Sequence, residues 1–426
     1  MLMLLIFIGM VALICINVPI AVALALAGVG GLLATEGVNS LVTIALDMYS
    51  GSTKFSLIAI PMFVLAGAIM NAGGITDRLI NFVSAIIGFI RGGLAMVNIG
   101  VSLFFAEISG SAVADVAAMG SILIPQMRKR GYSKELSAAV TSSSASLAII
   151  IPPSIPMILY AASANTSVEQ LFVAGVVPGL LGAAGLMIVA YIFARRYNLP
   201  TEEAFNLKRL RETFIDAVPA FTLPVIILGG IFGGFVTATE AAGLAVIAAL
   251  VVSAWYRNLD LGHLRRAMLD GGMQTAVVML LVAASVLMGG FLTRAQVPQD
   301  IARAILEITD QQWVILLILN VFFLIIGFFL HSAAAIILVV PIVIPLITAA
   351  GIDPVHFGLV VTLNLAIGQQ TPPVASVLIT SCAVARANIW EVSKVNVWFV
   401  MVLLLVLVLC TYVPSVPLFL VEYFYR

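Results

Sequence analysis

The chain has 426 residues, of which 62% are hydrophobic and 9% are charged, and its mean hydropathy is +1.18. Soluble domains carry roughly 25% charged residues, so this composition excludes a soluble globular protein. Apolar runs of about 18–25 residues indicate membrane-spanning helices rather than the strands of a barrel. The formal net charge of zero gives no indication of nucleic-acid binding, and three scattered cysteines argue against a disulfide framework or a zinc site.

The first half of the chain, residues 1–211, is predicted to contain six elements. They are an apolar stretch at 1–34 with one or two spans, a span at 55–72, an interfacial helix at 75–91, a re-entrant hairpin at 94–127, a broken helix at 135–162 and a span at 168–194. The hairpin, with its tip at 109–112, is predicted because 94–127 is too long for one span and too short for two, at roughly 20 residues each.

The second half, residues 212–426, repeats this order after a polar linker at 195–211. Its predicted elements are spans near 217–235, 241–255 and 275–292, an interfacial helix at 298–309, a hairpin at 313–347 with its tip at 331–333, a broken helix at 355–383 and a last span at 395–419. The two halves are therefore predicted to be structural repeats.

Two proline pairs stand at equivalent places in the repeats. Pro152 and Pro153 align with Pro372 and Pro373 at an offset of 220 residues. Proline has no N–H, so each pair leaves helical carbonyls without intrahelical partners. At membrane depth such backbone persists only where it is buried in protein or lines a polar cavity, although a packed proline kink is the alternative.

The distribution of Lys and Arg predicts that the repeats are inverted. If the first hairpin opens toward the cytoplasm, most of the 20 Lys and Arg residues fall in cytoplasmic loops, as the positive-inside rule requires. The second hairpin then opens outward. The predicted fold is an all-α polytopic membrane protein with two inverted repeats, each carrying a re-entrant helical hairpin and a discontinuous helix.

Hydroxyl and amide side chains cluster at the hairpin tips and proline breaks. Half-helix N-termini suit a carboxylate, whereas freed carbonyls and hydroxyls suit Na⁺. The candidates are Ser109, Ser111, Ser142, Ser143, Ser144, Ser146, Ser332, Thr362, Asn364, Gln369, Gln370 and Thr371. Each of these residues is alternatively a helix-packing residue. His331 is a substrate donor, a proton-sensitive gate or a hydrogen-bonded structural histidine.

An enzyme is not indicated. The sequence contains no HExxH, CxxC or GxxxxGK[ST] motif and no soluble catalytic domain. With no nucleotide-binding loop, the energy for any transport is expected to come from an ion gradient.

Four segments carry a resemblance to a known family. Residues 60–67, 109–127, 150–160 and 351–375 resemble the large membrane subunit of TRAP (tripartite ATP-independent periplasmic) transporters, and the similarity extends over essentially the whole chain. The resemblance implies a multi-pass protein of the bacterial inner membrane that imports an organic acid with Na⁺ as coupling ion and without a cofactor. It implies an elevator motion of a transport domain against a scaffold, and two partners: a small four-helix membrane subunit and a periplasmic binding protein.

The resemblance also implies two Na⁺ sites. One is expected at Ser109, Ser111, Ala148 and Ile151, and the other at Ser332, Gly368 and Thr371. The residues expected to line the substrate site are Ser143, Ser144, Ser146, Pro153, His331, Asn364, Gln369 and Gln370. His331 departs from the family, where many relatives carry Asp, and the acid itself is left open. The alternative interpretation is a one-component Na⁺/dicarboxylate symporter that needs no binding protein.

Overall fold

The computed structural model describes residues 2–16, 18–38, 40–201, 204–257 and 261–425. All regular structure within these ranges is helical, which confirms the all-α prediction. Eight helices in the described ranges are long and apolar enough to cross a membrane by length and composition. The chain is a polytopic helical membrane protein.

The N-terminal part forms five helices. They are α1 (Leu2–Cys15), α2 (Ile20–Glu36), α3 (Ser40–Ser52), α4 (Ala59–Ala72, after a 3₁₀ turn at Phe55–Ile58) and α5 (Ile75–Ile87). Of the two alternatives for 1–34, the structure has two helices. Pro19 precedes α2 with φ −53° and ψ 134°, an extended conformation that ends the helical path.

The first hairpin and broken helix follow. The hairpin predicted at 94–127 corresponds to α6 (Gly93–Ser109) and α7 (Ala112–Lys129). The broken helix consists of α8 (Lys134–Ala145), a 3₁₀ turn (Ser146–Ile149) and α9 (Ile155–Ala164), and the span after it is α10 (Val168–Arg196).

Three long segments begin the second repeat. They are α11 (Leu207–Pro224), which continues through a π-helical turn (Val225–Gly229) into α12 (Gly230–Phe232), then α13 (Ala238–Trp255) and α14 (Leu261–Arg294). With 34 residues, α14 is far longer than the span predicted at 275–292. Its first turns carry Arg265, Arg266 and Asp270, and these charges kept the segment out of the span predicted from hydropathy. All three residues are exposed, and charged residues are tolerated at an exposed helix end, so the helix begins earlier.

Seven further helices of the second repeat complete the chain. They are α15 (Val297–Ile308), α16 (Gln312–Phe329), α17 (Ser332–Ala349), α18 (Pro354–Gly368), α19 (Ser376–Ala385), α20 (Ile389–Tyr412) and α21 (Ser415–Tyr425). The single span expected at 395–419 was wrong: α20 ends at Tyr412 and α21 is a separate helix. Val413 leaves the helical region at φ −124° and ψ 77°, as expected for a residue before proline.

Both broken helices are interrupted at their proline pairs, and the Pro152–Pro153 and Pro372–Pro373 bonds are both cis. At the first break, the Ser154 hydroxyl donates to the Ile149 carbonyl at 2.8 Å and accepts from the Met157 amide at 3.4 Å. Ser154 thus satisfies one group on each side of the break and caps α9.

The two repeats pack on each other reciprocally. Within each repeat, the first hairpin helix packs on the broken helix: α6 on α8, and α16 on α18. Between repeats, α7 packs on α19 and α17 packs on α9. The span after each broken helix also contacts the other repeat: α20 packs on α8, and α10 packs on α18. Each hairpin is therefore held by both halves of the chain.

The centre of the molecule is formed by the first segments of the two broken helices. Every residue from Leu136 to Ala145 in α8 and from Val355 to Gly368 in α18 is buried. A second group of helices, α2, α3, α4, α13 and α14, packs together around α4 and α14. The first group consists of the two hairpins and the two broken helices. The second group contacts it through α14 against α17 and through α4 against α6.

Candidate functional site

A cavity of about 520 Å³, here called the central cavity, lies where the two hairpin tips meet. The first tip contributes Gly110, Ser111 and Ala112, and the second contributes His331, Ser332 and Ala333. The break regions add Ile149, Ile155 and Gln369, and α14 adds Met273, Gln274, Val277 and Val278. The structure thus brings together the tips and breaks that the sequence singled out.

The first tip is seated on the first break. Gly110 ends α6 with φ +58°, in the left-handed region that favours glycine. A Cβ at Gly110 would lie 2.9 Å from the Pro153 carbonyl oxygen and 3.2 Å from the Ile155 amide nitrogen. Only glycine therefore allows the tip to approach the backbone of the break this closely. The side chain of Ser109 lies outside the described part of the chain, whereas Ser111 lines the central cavity.

The end of α16, which leads into the second tip, is attached to the second broken helix by backbone contacts. The Val374 amide donates to the Phe328 carbonyl at 3.2 Å. At the end of α18, a Cβ at Gly368 would lie 2.5 Å from the Gly327 Cα atom, so α16 and α18 touch through their main chains. Ser332 lines the central cavity while being only 1% exposed to solvent.

The predicted Na⁺ ligands near the breaks lie on irregular backbone or, for Gly368, at the end of a helix. Ala148 is in the 3₁₀ turn, and Ile151 follows it where the Ile151 amide donates to the Leu147 carbonyl at 2.7 Å. In the second repeat, the Thr371 amide donates to the Gly368 carbonyl at 3.0 Å and its hydroxyl donates to the Ile367 carbonyl at 3.1 Å. Each break therefore concentrates oxygen atoms beside a hairpin tip.

Of the residues expected to line the substrate site, His331 and Gln369 line the central cavity. The serines of α8 and of the 3₁₀ turn after it do not. Ser143 donates to the Ala139 carbonyl and to Asn396 Oδ1, both at 2.8 Å, and Ser146 donates to the Ser142 carbonyl at 3.0 Å. These hydroxyls are used inside the helix bundle.

Ser144 belongs to a buried network between α6 and α8. It donates to Asn98 Oδ1 at 3.1 Å and accepts from Ser102 at 3.0 Å, while Asn98 Nδ2 donates to Thr141 at 2.7 Å. Hydrogen bonds of this kind fix one helix against its neighbour. For Ser144, the helix-packing alternative describes what the structure shows.

The amides of α18 and its break have a comparable place in the second repeat. Asn364 Nδ2 donates to Asn320 Oδ1 at 2.6 Å, and the main-chain carbonyl of Gln370 accepts from Asn396 Nδ2 at 3.1 Å. Neither residue lines the central cavity, and Pro153 contributes its carbonyl to the contact with Gly110 instead.

The electrostatics of the central cavity favour an anion. None of the described residues that line it is Asp, Glu, Lys or Arg. Three helices present their N-terminal ends to it, namely α7 through Ala112, α9 through Ile155 and α17 through Ser332. Each such end has partial positive charge, equivalent to about half an elementary charge. The helix ends therefore suit an anionic group such as a carboxylate without the help of a basic side chain.

Sequence reasoning missed the wall opposite the tips. Val64 of α4 and the α14 residues Met273, Gln274, Val277 and Val278 line the central cavity. The detectable signal was Gln274, a polar amide directly before the apolar run predicted to span the membrane at 275–292.

Sequence comparison identifies the family. The sequence model described as "Tripartite ATP-independent periplasmic transporter, DctM component" matches residues 7–416. The chain belongs to the DctM family of TRAP transporters. A DctM protein is a transporter permease of the bacterial inner membrane and not an enzyme, as the sequence indicated.

Two relatives illustrate the similarity. The isethionate TRAP transporter permease protein DctMQ of Oleidesulfovibrio alaskensis is 39% identical over 406 residues, which make up 95% of this chain but 64% of that protein. The C4-dicarboxylate TRAP transporter large permease protein DctM of Pseudomonas aeruginosa is 39% identical over 381 residues, 89% of each chain.

A solved structure shares the fold. The crystal structure of the YdaH transporter of Alcanivorax borkumensis superposes with a TM-score of 0.65 over 89% of both chains, at 15% identity. At this identity the likeness concerns the fold alone.

Proposed function

We propose that this DctM chain is the permease through which an organic acid is imported together with Na⁺. The central cavity carries the proposal, because three helix N-termini converge there and its described lining contains no charged side chain. Such a site suits a single anionic group held by helix ends and neutral donors. The apolar remainder of the wall accommodates the body of the acid.

One Na⁺ would be held between the first tip and the first break. Its proposed ligands are Ser109, Ser111 and the carbonyls of Ala148 and Ile151. The close packing of Gly110 on the Pro153 carbonyl supports this, because it leaves no room for a Cβ and so holds the tip directly against the break. Unwound carbonyls and hydroxyls are the oxygen donors that membrane transporters use for Na⁺.

A second Na⁺ would be held at the equivalent place in the second repeat, by Ser332, Gly368 and Thr371. The bond from the Val374 amide to the Phe328 carbonyl supports it, since the bond fixes the end of α16, just before the tip, to the break. Binding of Na⁺ would in turn order both tips around the acid, which couples the two ligands.

The proposed motion is an elevator displacement of the hairpins and broken helices against a scaffold. The reciprocal packing of α7 on α19 and of α17 on α9 supports it, because it joins the four elements in one body. The group formed around α4 and α14 would be the scaffold. The central cavity lies between the two groups, where a substrate can move with one of them.

The chain would work with two partners, a small four-helix membrane subunit and a periplasmic binding protein that delivers the acid. The relatives' printed substrates, isethionate and C4-dicarboxylates, define the class to be tested here: small carboxylates and sulfonates. The alternative is a one-component symporter that takes the acid directly from the periplasm.

Uptake in proteoliposomes tests the proposal. The chain, its small membrane subunit and its binding protein are assayed with labelled succinate and isethionate, with and without an inward Na⁺ gradient. We expect uptake of one probe that requires both Na⁺ and the binding protein. Uptake without Na⁺, or of neither probe, would overturn the proposal, and Na⁺-driven uptake without the binding protein would favour the one-component symporter.

Two variants locate the Na⁺ sites. Ser111→Ala and Thr371→Val are expected to raise the Na⁺ concentration needed for half-maximal uptake at least tenfold. Ser121→Ala is the control, because Ser121 is exposed on α7 and donates only to the Ala118 carbonyl at 2.7 Å among the described residues. An unchanged Na⁺ dependence in both site variants would remove the assignment.

A further inference from the structure

Helix α14 runs along three cavities in succession. Its residues 266–274 line a cavity of about 340 Å³, here called the vestibule; residues 273–278 line the central cavity; and residues 282–289 line a third space of about 170 Å³. Because one helix forms a wall of all three, they follow a single seam between α14 and the hairpin helices α7 and α17.

The vestibule adjoins the central cavity. Three residues line both spaces: Val64 of α4, Ala114 of α7 and Gln274 of α14. Gln274 is the polar member of this set, and its side chain is exposed. The α14 residues next to it in the central cavity, Met273, Val277 and Val278, are apolar.

The vestibule differs from the central cavity in carrying charge. Arg266 and Asp270 line it from α14, and Asn71 lines it from α4. Arg266 lies eight residues before Gln274, which is about 12 Å along the helix axis. The opposite charges of Arg266 and Asp270 leave this space without net charge, which suits passage of an anion rather than its retention.

We infer that Gln274 is a substrate-contact residue on α14 that transfers the anionic group between the hairpin tips and the Arg266 end of the vestibule. The inference rests on the proposed function and adds a specific residue and route to it. An anion that leaves the helix N-termini at the tips needs replacement donors at once, because the rest of the boundary is apolar. The Gln274 amide is placed to supply them on the path to Arg266.

The first test measures transport by the complete complex. Gln274→Leu removes the amide at nearly constant volume, and we expect it to lower the maximal uptake rate of succinate or isethionate at least tenfold at saturating binding protein. Thr275→Val is the matched control, because it removes a polar group from the next residue of α14, which is not among the residues that line the central cavity or the vestibule. Thermal unfolding of both variants is expected to match that of the unsubstituted protein, which separates a contact with the substrate from a structural role.

The second test does not depend on knowing the substrate. A Gln274→Cys variant in proteoliposomes is treated with an anionic and with a cationic methanethiosulfonate reagent of similar size. We expect the anionic reagent to react, and an additional Arg266→Gln substitution to slow it at least fivefold without slowing the cationic one. Arg265→Gln is the control, since Arg265 is exposed on α14 and is not among the residues that line the vestibule.

The outcomes separate this inference from the proposed function. Wild-type rates in Gln274→Leu, or labelling of Gln274→Cys that is indifferent to Arg266, would overturn the role of Gln274 while Na⁺-driven uptake by the unsubstituted complex still stands. Absence of uptake by the unsubstituted complex with both probes would instead overturn the proposed function. Labelling governed by Arg266 would then still support the route through the vestibule.

Discussion

Lys54 Nζ donates a 2.7 Å hydrogen bond to the carbonyl of Ala162. Lys54 precedes the 3₁₀ turn that leads into α4, whereas Ala162 lies in the last turn of α9. A lysine at the C-terminal end of a helix complements the negative end of the helix dipole. The bond therefore ties the group of helices around α4 to the second segment of the first broken helix.

Loss of this bond should loosen the end of α9. We expect Lys54→Met to cost about 0.3–1 kcal/mol, the usual value of a helix-end charge at an exposed site. Hydrogen exchange of the amides in the last turn of α9 is expected to rise, while exchange in α10 stays the same. Lys394→Met is the control, because Lys394 pairs with Glu391 on its own helix at 2.9 Å. Equal exchange in all three proteins would contradict the prediction.

Gly368→Ala should separate the second hairpin from its broken helix. The added Cβ would lie 2.5 Å from the Gly327 Cα and 2.6 Å from its carbonyl carbon, and main-chain atoms cannot move aside cheaply. We expect a loss of about 1–3 kcal/mol of stability from overpacking, together with weaker Na⁺ dependence of uptake. Thermal unfolding and uptake at varied Na⁺ measure the two effects.

Gly272→Ala is the matched control for that substitution. Gly272 is also helical, but a Cβ there would have no atom within 4 Å. Alanine in a helix interior is favoured over glycine by up to about 1 kcal/mol, so the melting temperature is expected to stay constant or rise. A fall comparable to that of Gly368→Ala would mean that steric contact is not the cause.

The buried network around Asn98 should contribute to stability rather than to transport. Asn98→Leu removes the donor to Thr141 and the acceptor for Ser144, leaving two buried hydroxyls with fewer partners. Unsatisfied buried polar groups cost about 1–3 kcal/mol each, although in membranes the measured values are often smaller. We expect a lower melting temperature with an unchanged Na⁺ requirement, and a shifted Na⁺ requirement would argue against the packing role.

Asn396 of α20 should couple the two broken helices. It accepts from Ser143 at 2.8 Å and donates to the Gln370 carbonyl at 3.1 Å. A double-mutant cycle with Ser143→Ala and Asn396→Ala is expected to give a coupling free energy of about 0.5–3 kcal/mol. Additive effects in the cycle would show that the Ser143 bond contributes nothing of its own.

The irregular parts of the fold were predictable because single residues cause them. The paired prolines interrupt both helices, and the left-handed backbone at position 110 favours glycine. Such residues constrain the backbone locally, whatever neighbours pack against them. The breaks were located from the prolines, and the hairpins from the length of the segment at 94–127 and its counterpart at 313–347.

The placement of polar side chains was less predictable, because it depends on which neighbour reaches them. Ser143 and Ser144 lie beside the first break in sequence, but they face α20 and α6 instead of the central cavity. Gln274 is the opposite case, since it is distant in sequence from both tips and still lines the cavity between them. Helical periodicity does not distinguish these faces when the whole surface is apolar.

The reciprocal packing of the hairpins also bears on how the protein is made. Helix α7 packs on α19, which the ribosome synthesises only after most of the chain has emerged. The first re-entrant loop is thus inserted long before its neighbour exists, with main-chain groups that lipid cannot satisfy. Biogenesis of this permease must shelter that loop until translation is nearly complete.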